Sequence, residues 1–333
     1  MTMNWHTLAD KDIEFQGLPW LSSNGSNLWR LPAATLGNLP EGVRRQAIFP
    51  AGARIRLATD SPSLSFRGCS VSGDSRQAVD IYVEGAFLKS VGVNQPAESE
   101  IIIIEDLPRQ FRDIELYLPY RHEIRVGAVG IDAHAQLRKP ASYSKDLPFV
   151  LYGSSVAQGA SAARAGMAYP SILGRMLNLD FVNLGFGGAG KAEPEVVELV
   201  ASIGASCFLF DLGKSYGRQD ASAYTAMLET VRARHAEIPL VCITPVFSTR
   251  ETFEPDYEEL SLHTREITRQ AVAERTETGD PNIILIEGTD LLGSEDTDGF
   301  SGDGVHPNDL GFNLMAERLE KRLAGIFGDR KLR

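Results

Sequence analysis

Clusters of basic residues are missing from this chain. Of its 333 residues, 33 are Lys or Arg and 44 are Asp or Glu, a formal net charge of -11, and no dense Lys/Arg run breaks that balance. A surface that neutralises phosphates needs such runs, so nucleic acid and anionic membrane are not expected partners. Long apolar runs are missing too, with no stretch approaching the roughly 18 residues of a membrane span. The opening MTMNWHTLADKDIEF has no basic segment followed by an apolar one, and cytoplasmic residence is the expectation. Cysteine is scarce and odd in number, at three. Cys207 in SCFLFDLG and Cys242 in PLVCITPV lie within apolar runs and read as buried thiols, not as disulfides or metal ligands. The six His are scattered without H-E-x-x-H or comparable spacing, so neither a metal nor an organic cofactor is expected.

The chain does have enough apolar material, 43% of residues, to bury the cores of two domains. From about Ile48 to Ala135 the apolar residues alternate in short segments, such as Ile55 and Leu57 in ARIRLA and Leu64 and Phe66 in SLSF, separated by Gly, Pro, Ser and Asp. A period of two marks half-buried strands. VDIYVEGAFLKSVGV reads as a hairpin turning at Glu84-Gly85, and IIIIEDL, DIELYLP and IRVGAVGID supply further strands. An antiparallel β-sandwich or jelly roll over 1–140 is the expected result.

After Lys139-Pro140 the period changes. The apolar runs PFVLYG, DFVNLG, SCFLFDLG, PLVCITPV and NIILIEG alternate with amphipathic stretches near Tyr169 to Leu177, Pro194 to Ile203, Ala223 to His235 and Tyr257 to Thr276. This predicts an α/β domain over 146–333, a parallel sheet flanked by helices, joined to the first domain through the polar segment Leu137 to Lys145. A last helix follows Pro307, with Phe312, Met315, Leu319, Leu323 and Ile326 on one stripe. Ligands of such sheets sit beyond the carboxyl ends of the strands, which makes the residues after each run the candidates.

Four of those positions hold chemistry-bearing residues. The first run ends in Gly153-Ser154-Ser155, where a sharp strand-to-helix turn can expose a nucleophile, although Gly/Ser turns are common. The second ends in Asn183-Leu184-Gly185-Phe186-Gly187-Gly188-Ala189-Gly190, four glycines in six residues, which suits close backbone approach to an anion but has neither P-loop nor dinucleotide spacing. The third ends in Gly213-Lys214-Ser215-Tyr216, a polar loop able to place a donor in a cleft. The fourth, Asp303-Gly304-Val305-His306-Pro307, lets an Asp three residues before a His accept from the ring N–H and leave the other nitrogen free as a base. Each signal is weak alone; their order within one domain is the argument.

Taken together, GSS, NLGFGG, GKSY and DGVHP resemble the four blocks of the SGNH/GDSL serine hydrolases across about Pro148 to Phe327. The strand-rich first half is similar to the N-terminal sandwich of a two-domain bacterial branch that includes carbohydrate acetyl esterases. The resemblance implies a flavodoxin-like sheet, Ser155 as nucleophile, His306 as base and Asp303 as its orienter. It further implies an oxyanion hole formed by the Ser155 and Gly188 N–H groups with Ser215, which stands where the family usually has Asn. A hydroxyl is shorter than an amide and offers a single proton. The candidate substrate contacts are Lys214 and, in the segment Pro245 to Glu251, Arg250, the latter for an anionic group. The expected function is hydrolysis of a small acyl ester on a carbohydrate or other hydroxylated small molecule. Acyl transfer, lactone or thioester hydrolysis, and a non-catalytic binding protein are the alternatives.

Overall fold

The computed structural model describes residues 2–71 and 78–327. Residue 1 and residues 328–333, at the outer ends of the two expected domains, lie outside the described residues. Two compact units separate by their internal contacts. One contains the residues up to Ala34, Ala47–Tyr143 and Arg164–Gly166; the other contains Thr35–Gln46, Ser144–Ala163 and the chain from Met167 onward.

Among the described residues the first unit contains the strands β1 (Met3–Thr7), β2 (Glu14–Gln16), β3 (Arg54–Thr59), β4 (Leu64–Ser70), β5 (Ala78–Val83), β6 (Ala86–Gly92), β7 (Ser99–Ile104), β8 (Arg112–Tyr117), β9 (Ile124–Asp132) and β10 (Leu137–Arg138). One sheet runs β1-β9-β4-β7; the other runs β10-β3-β8-β5-β6, with β2 on β3. Every pairing is antiparallel. Both sheets feed one core, with Ile55, Leu57, Ile81 and Leu116 from one and Phe66, Ile103, Val129 and Ile131 from the other. The β5–β6 hairpin turns at Glu84-Gly85, as the alternation predicts. Strands β1 and β2 have no clear apolar alternation and pair at sheet margins, which is why the sequence pattern before Ile48 does not reveal them. Arg164–Gly166 joins this unit because Asp80, buried on β5, accepts from the Gly166 amide (2.7 Å) and Arg164 donates to Tyr82 (2.6 Å).

The second unit opens on α1 (Glu41–Ala47) and continues, among the described residues, through β11 (Phe149–Gly153), α2 (Ser155–Gln158), α3 (Tyr169–Leu177), β12 (Phe181–Gly185), α4 (Pro194–Ala201), β13 (Cys207–Asp211), α5 (Ser222–Arg234), β14 (Leu240–Ile243), α6 (Pro255–Glu277), β15 (Ile283–Ile286), α7 (Gly288–Leu291) and α8 (Asp309–Phe327). The sheet order is β12-β11-β13-β14-β15, all parallel. Every residue of β11, β12 and β13 is buried, and so these strands read as near-continuous apolar runs, interrupted by Asn183 and Asp211, rather than alternating ones. Phe312, Met315, Leu319 and Leu323 of α8 are buried as one stripe, while Ile326 is half-buried. Counted from its first strand the sheet order is 2-1-3-4-5, which places the reversal of winding beside β11, where open sheets hold ligands. Among the described residues no helix is long and apolar enough to cross a membrane. Cys207 and Cys242 are buried free thiols and Cys69 is a half-buried one.

Candidate active site

At the end of β11 the chain turns against the end of β13. A Cβ on Gly153 would lie 2.0 Å from the Asp211 carbonyl oxygen, so no other residue lets the two strands approach this closely. The Ser154 amide donates to that same carbonyl (3.1 Å), and Ser155 then starts α2. The first amides of a helix have no intrahelical acceptor, and among the described residues the Ser155 N–H has no partner.

The Ser155 hydroxyl lies 2.8 Å from His306 Nε2, across 151 residues of chain. On the other side of the ring, Nδ1 lies 2.6 Å from Asp303 Oδ2. With the imidazole in its Nδ1–H tautomer, Ser155 Oγ–H donates to Nε2 and Nδ1–H donates to Asp303. Asp303 Oδ1 accepts three more bonds, from the Ser301 hydroxyl (2.9 Å) and the amides of Val305 (2.8 Å) and His306 (3.0 Å). Partial burial pushes its carboxyl pKa up, but the bonds from the His306 amide and ring, Val305 and Ser301 outweigh that and hold it well below the usual carboxylate range. The carboxylate is therefore charged throughout the neutral range. Such a relay can lift the proton from a serine hydroxyl and stabilise the imidazolium that forms.

Beside this lies the glycine-rich loop. Gly188 has a φ of +73°, a conformation that side chains resist, and among the described residues its N–H has no acceptor. The neighbouring peptide is clamped. Gln46 donates to the Gly187 carbonyl and accepts from the Gly187 amide (3.0 Å), and Gln158 accepts from the same amide (2.9 Å). Asn183 bonds both Ala157 O (2.9 Å) and the Gly185 amide (2.8 Å), fixing α2 to the start of the loop. Gln46 and Gln158 are neighbours of this loop that motif reasoning missed, since nothing in their local sequence marks them.

Ser215 lies in the short helical turn Gly213–Tyr216, half-buried, next to the first turn of α2: a Cβ on Gly213 would lie 2.9 Å from Ser154 Oγ. The two expected substrate contacts are occupied by the protein itself. Lys214 pairs with Glu251 (3.0 Å) and donates to Val246 O (2.6 Å), and Arg250 pairs with Glu254 over the Tyr257 ring. Beneath the loop, Asp211 is fully buried and accepts from Tyr169 (2.9 Å). Burial raises its pKa to about 6, with the Tyr169 hydrogen bond and the charge of Lys214 opposing. Among the described residues no group of three or more His, Cys, Asp or Glu could hold a metal ion.

A parallel sheet of this winding, with a Ser, His and Asp relay at its carboxyl edge, defines a serine-hydrolase-type site on an α/β fold. Residues 146–324, more than half of the 333-residue chain, match the model of the GDSL-like lipase/acylhydrolase family, and the chain belongs to that family of ester-cleaving hydrolases. Solved structures share the fold over nearly the whole chain. A protein assigned as a GDSL-like lipase from Bacteroides ovatus is 25% identical, with 98% of each chain covered and a TM-score of 0.83. The salicylyl-acyltransferase SsfX3 from a tetracycline biosynthetic pathway is 23% identical over 98% of this chain and 99% of its own, TM-score 0.86. A family two carbohydrate esterase from Clostridium thermocellum is 17% identical over 84% of this chain and 93% of its own, TM-score 0.66. No curated protein matches the sequence significantly.

Proposed function

We propose that this hydrolase removes a small acyl group from a hydroxylated substrate, carbohydrate esters foremost, through an acyl-enzyme on Ser155. His306 takes the Ser155 proton as Oγ attacks the ester carbonyl, and Asp303 keeps the ring in the tautomer that can accept it. The N–H groups of Ser155 and Gly188, with the Ser215 hydroxyl, receive the oxyanion. His306 then returns the proton to the departing alkoxide, and a water activated by the same ring releases the acid. The observation that carries this reading is the 2.8 Å and 2.6 Å pair of contacts on opposite sides of one imidazole. The carbohydrate esterases that share the fold motivate the substrate class.

The test is a fluorophosphonate probe followed by mass spectrometry. A stoichiometric adduct on Ser155, abolished in Ser155→Ala together with ester hydrolysis, is the expected result; a folded chain that takes no adduct there refutes it. Transfer of the acyl group to an alcohol uses the same acyl-enzyme, and product analysis with and without an acceptor alcohol separates it from hydrolysis.

A further inference from the structure

A buried ion cluster links the Ser215 loop to the turn that carries Asp303 and His306. Lys214, the residue before Ser215, places Nζ 3.0 Å from Glu251 Oε1, with the two side chains 11% and 6% exposed. Arg265 of α6 grips the same carboxylate as a fork, at 2.8 and 2.9 Å, and also donates to Pro245 O and Val246 O. Glu251 sits in the helical turn Thr249–Thr252, which Ser248 caps. From there three donors converge on one carbonyl: Ser248 Oγ (2.6 Å), the Thr249 amide (3.0 Å) and Thr249 Oγ1 (3.2 Å) all bond Gly304 O. Gly304 follows Asp303 directly. The chain of contacts therefore runs from Lys214 through Glu251 and the turn it belongs to, ending at the base and its orienter.

Buried ion pairs give little or no net stability over apolar residues of the same volume. What they do supply is fixed geometry, because a shared carboxylate held by a fork and an ammonium has few alternative arrangements. We propose that Lys214 and Glu251 are positioning residues for ester cleavage: their ion pair sets the Ser215 hydroxyl against Ser155 and steadies the turn of Asp303 and His306. This rests on reading Ser155 as the nucleophile and Ser215 as an oxyanion donor.

The pair has a pH signature. Burial lowers the Lys214 ammonium to about 8; Glu251 and Asp211 pull it upward and Arg265 pushes it down. The Tyr257 ring, 5.7 Å from Nζ, also faces it. As pH climbs through that value the ammonium discharges and the pair is lost, so turnover falls on the alkaline side.

Steady-state hydrolysis of 4-nitrophenyl acetate, measured from about pH 6 to about pH 10, tests this. In Lys214→Met, where Glu251 keeps Arg265 as partner, kcat drops about 10- to 100-fold, at or below the loss of a whole oxyanion donor, while KM moves by about twofold or less. Lys214→Arg, whose guanidinium stays charged, restores much of the rate and abolishes the alkaline limb. Normal fluorophosphonate labelling of wild-type Ser155 with an unchanged kcat in Lys214→Met, or an alkaline limb that persists in Lys214→Arg, overturns this proposal alone. A wild-type chain that takes no label on Ser155 overturns the nucleophile assignment and this proposal with it.

Discussion

The carboxylate of Asp303 is held by its own turn, whereas the peptide before Gly188 is held by side chains from far away. Among the described residues Asp303 takes four hydrogen bonds from residues within three positions, Ser301, Val305 and His306. The Gly187 peptide is clamped by Gln46, 141 residues distant, and by Gln158, 29 residues distant. The bond from His306 to Asp303 is within three-residue reach, although Ser248 and Thr249 anchor the turn as a whole through Gly304 O, and a glycine-rich loop depends on the rest of the fold for even its first clamp. The difference teaches where each part is vulnerable: the Asp303–His306 bond to substitution within its own motif, the Gly188 loop to substitutions that no motif marks.

Substituting within the local turn has the largest expected effect. Asp303→Asn keeps the shape but removes the charge and lets the amide donate to Nδ1, favouring the wrong tautomer; kcat should fall about 10³- to 10⁴-fold with KM little changed. Steady-state kinetics check it, and a loss under about tenfold would show that the tautomer is set elsewhere.

Asp211 gives the next effect, in stability. It binds its proton more tightly in the folded chain, at about 6, than its ordinary value of 3.8. Its charge therefore costs the fold stability progressively between those two values, with the full cost present above about 6. Asp211→Asn, which has no such charge, should gain on the wild type across that interval and stay level above it, by at most about 3 kcal/mol. Urea unfolding at several pH values reads this directly, and a difference independent of pH would refute it.

The smallest effect falls on the distant clamp. Gln46→Leu strands the Gly187 carbonyl, leaves the amide to Gln158 alone and loosens Gly188, and should lower kcat about tenfold while costing about 1 to 2 kcal/mol of stability. An unchanged kcat in a folded variant would mean that Gln158 alone holds the loop.

Much of this molecule was legible in its sequence because the relevant physics is periodic or local. Alternation marked the hairpin at Glu84-Gly85, short apolar runs marked β11 to β15, and the D-x-x-H spacing marked a carboxylate that reaches its own histidine. The partners of Lys214 and Arg250 were not legible for the opposite reason: Glu251 and Glu254 meet them only once the chain is folded. The segment Thr35–Gln46 gave no sign of belonging with the hydrolase unit, since α1 has no extended apolar stripe and its key contact is a single glutamine.

By itself the sequence determined the two kinds of sheet, the order of the four loops and the Asp303–His306 bond, all of which follow from residue periodicity or from three-residue reach. Only the tertiary structure decided that Ser155 meets that histidine across 151 residues, that Gln46 clamps the glycine-rich loop, and that Lys214 is bound to Glu251. Those contacts depend on which strand ends lie side by side, and that is a property of the packed sheet.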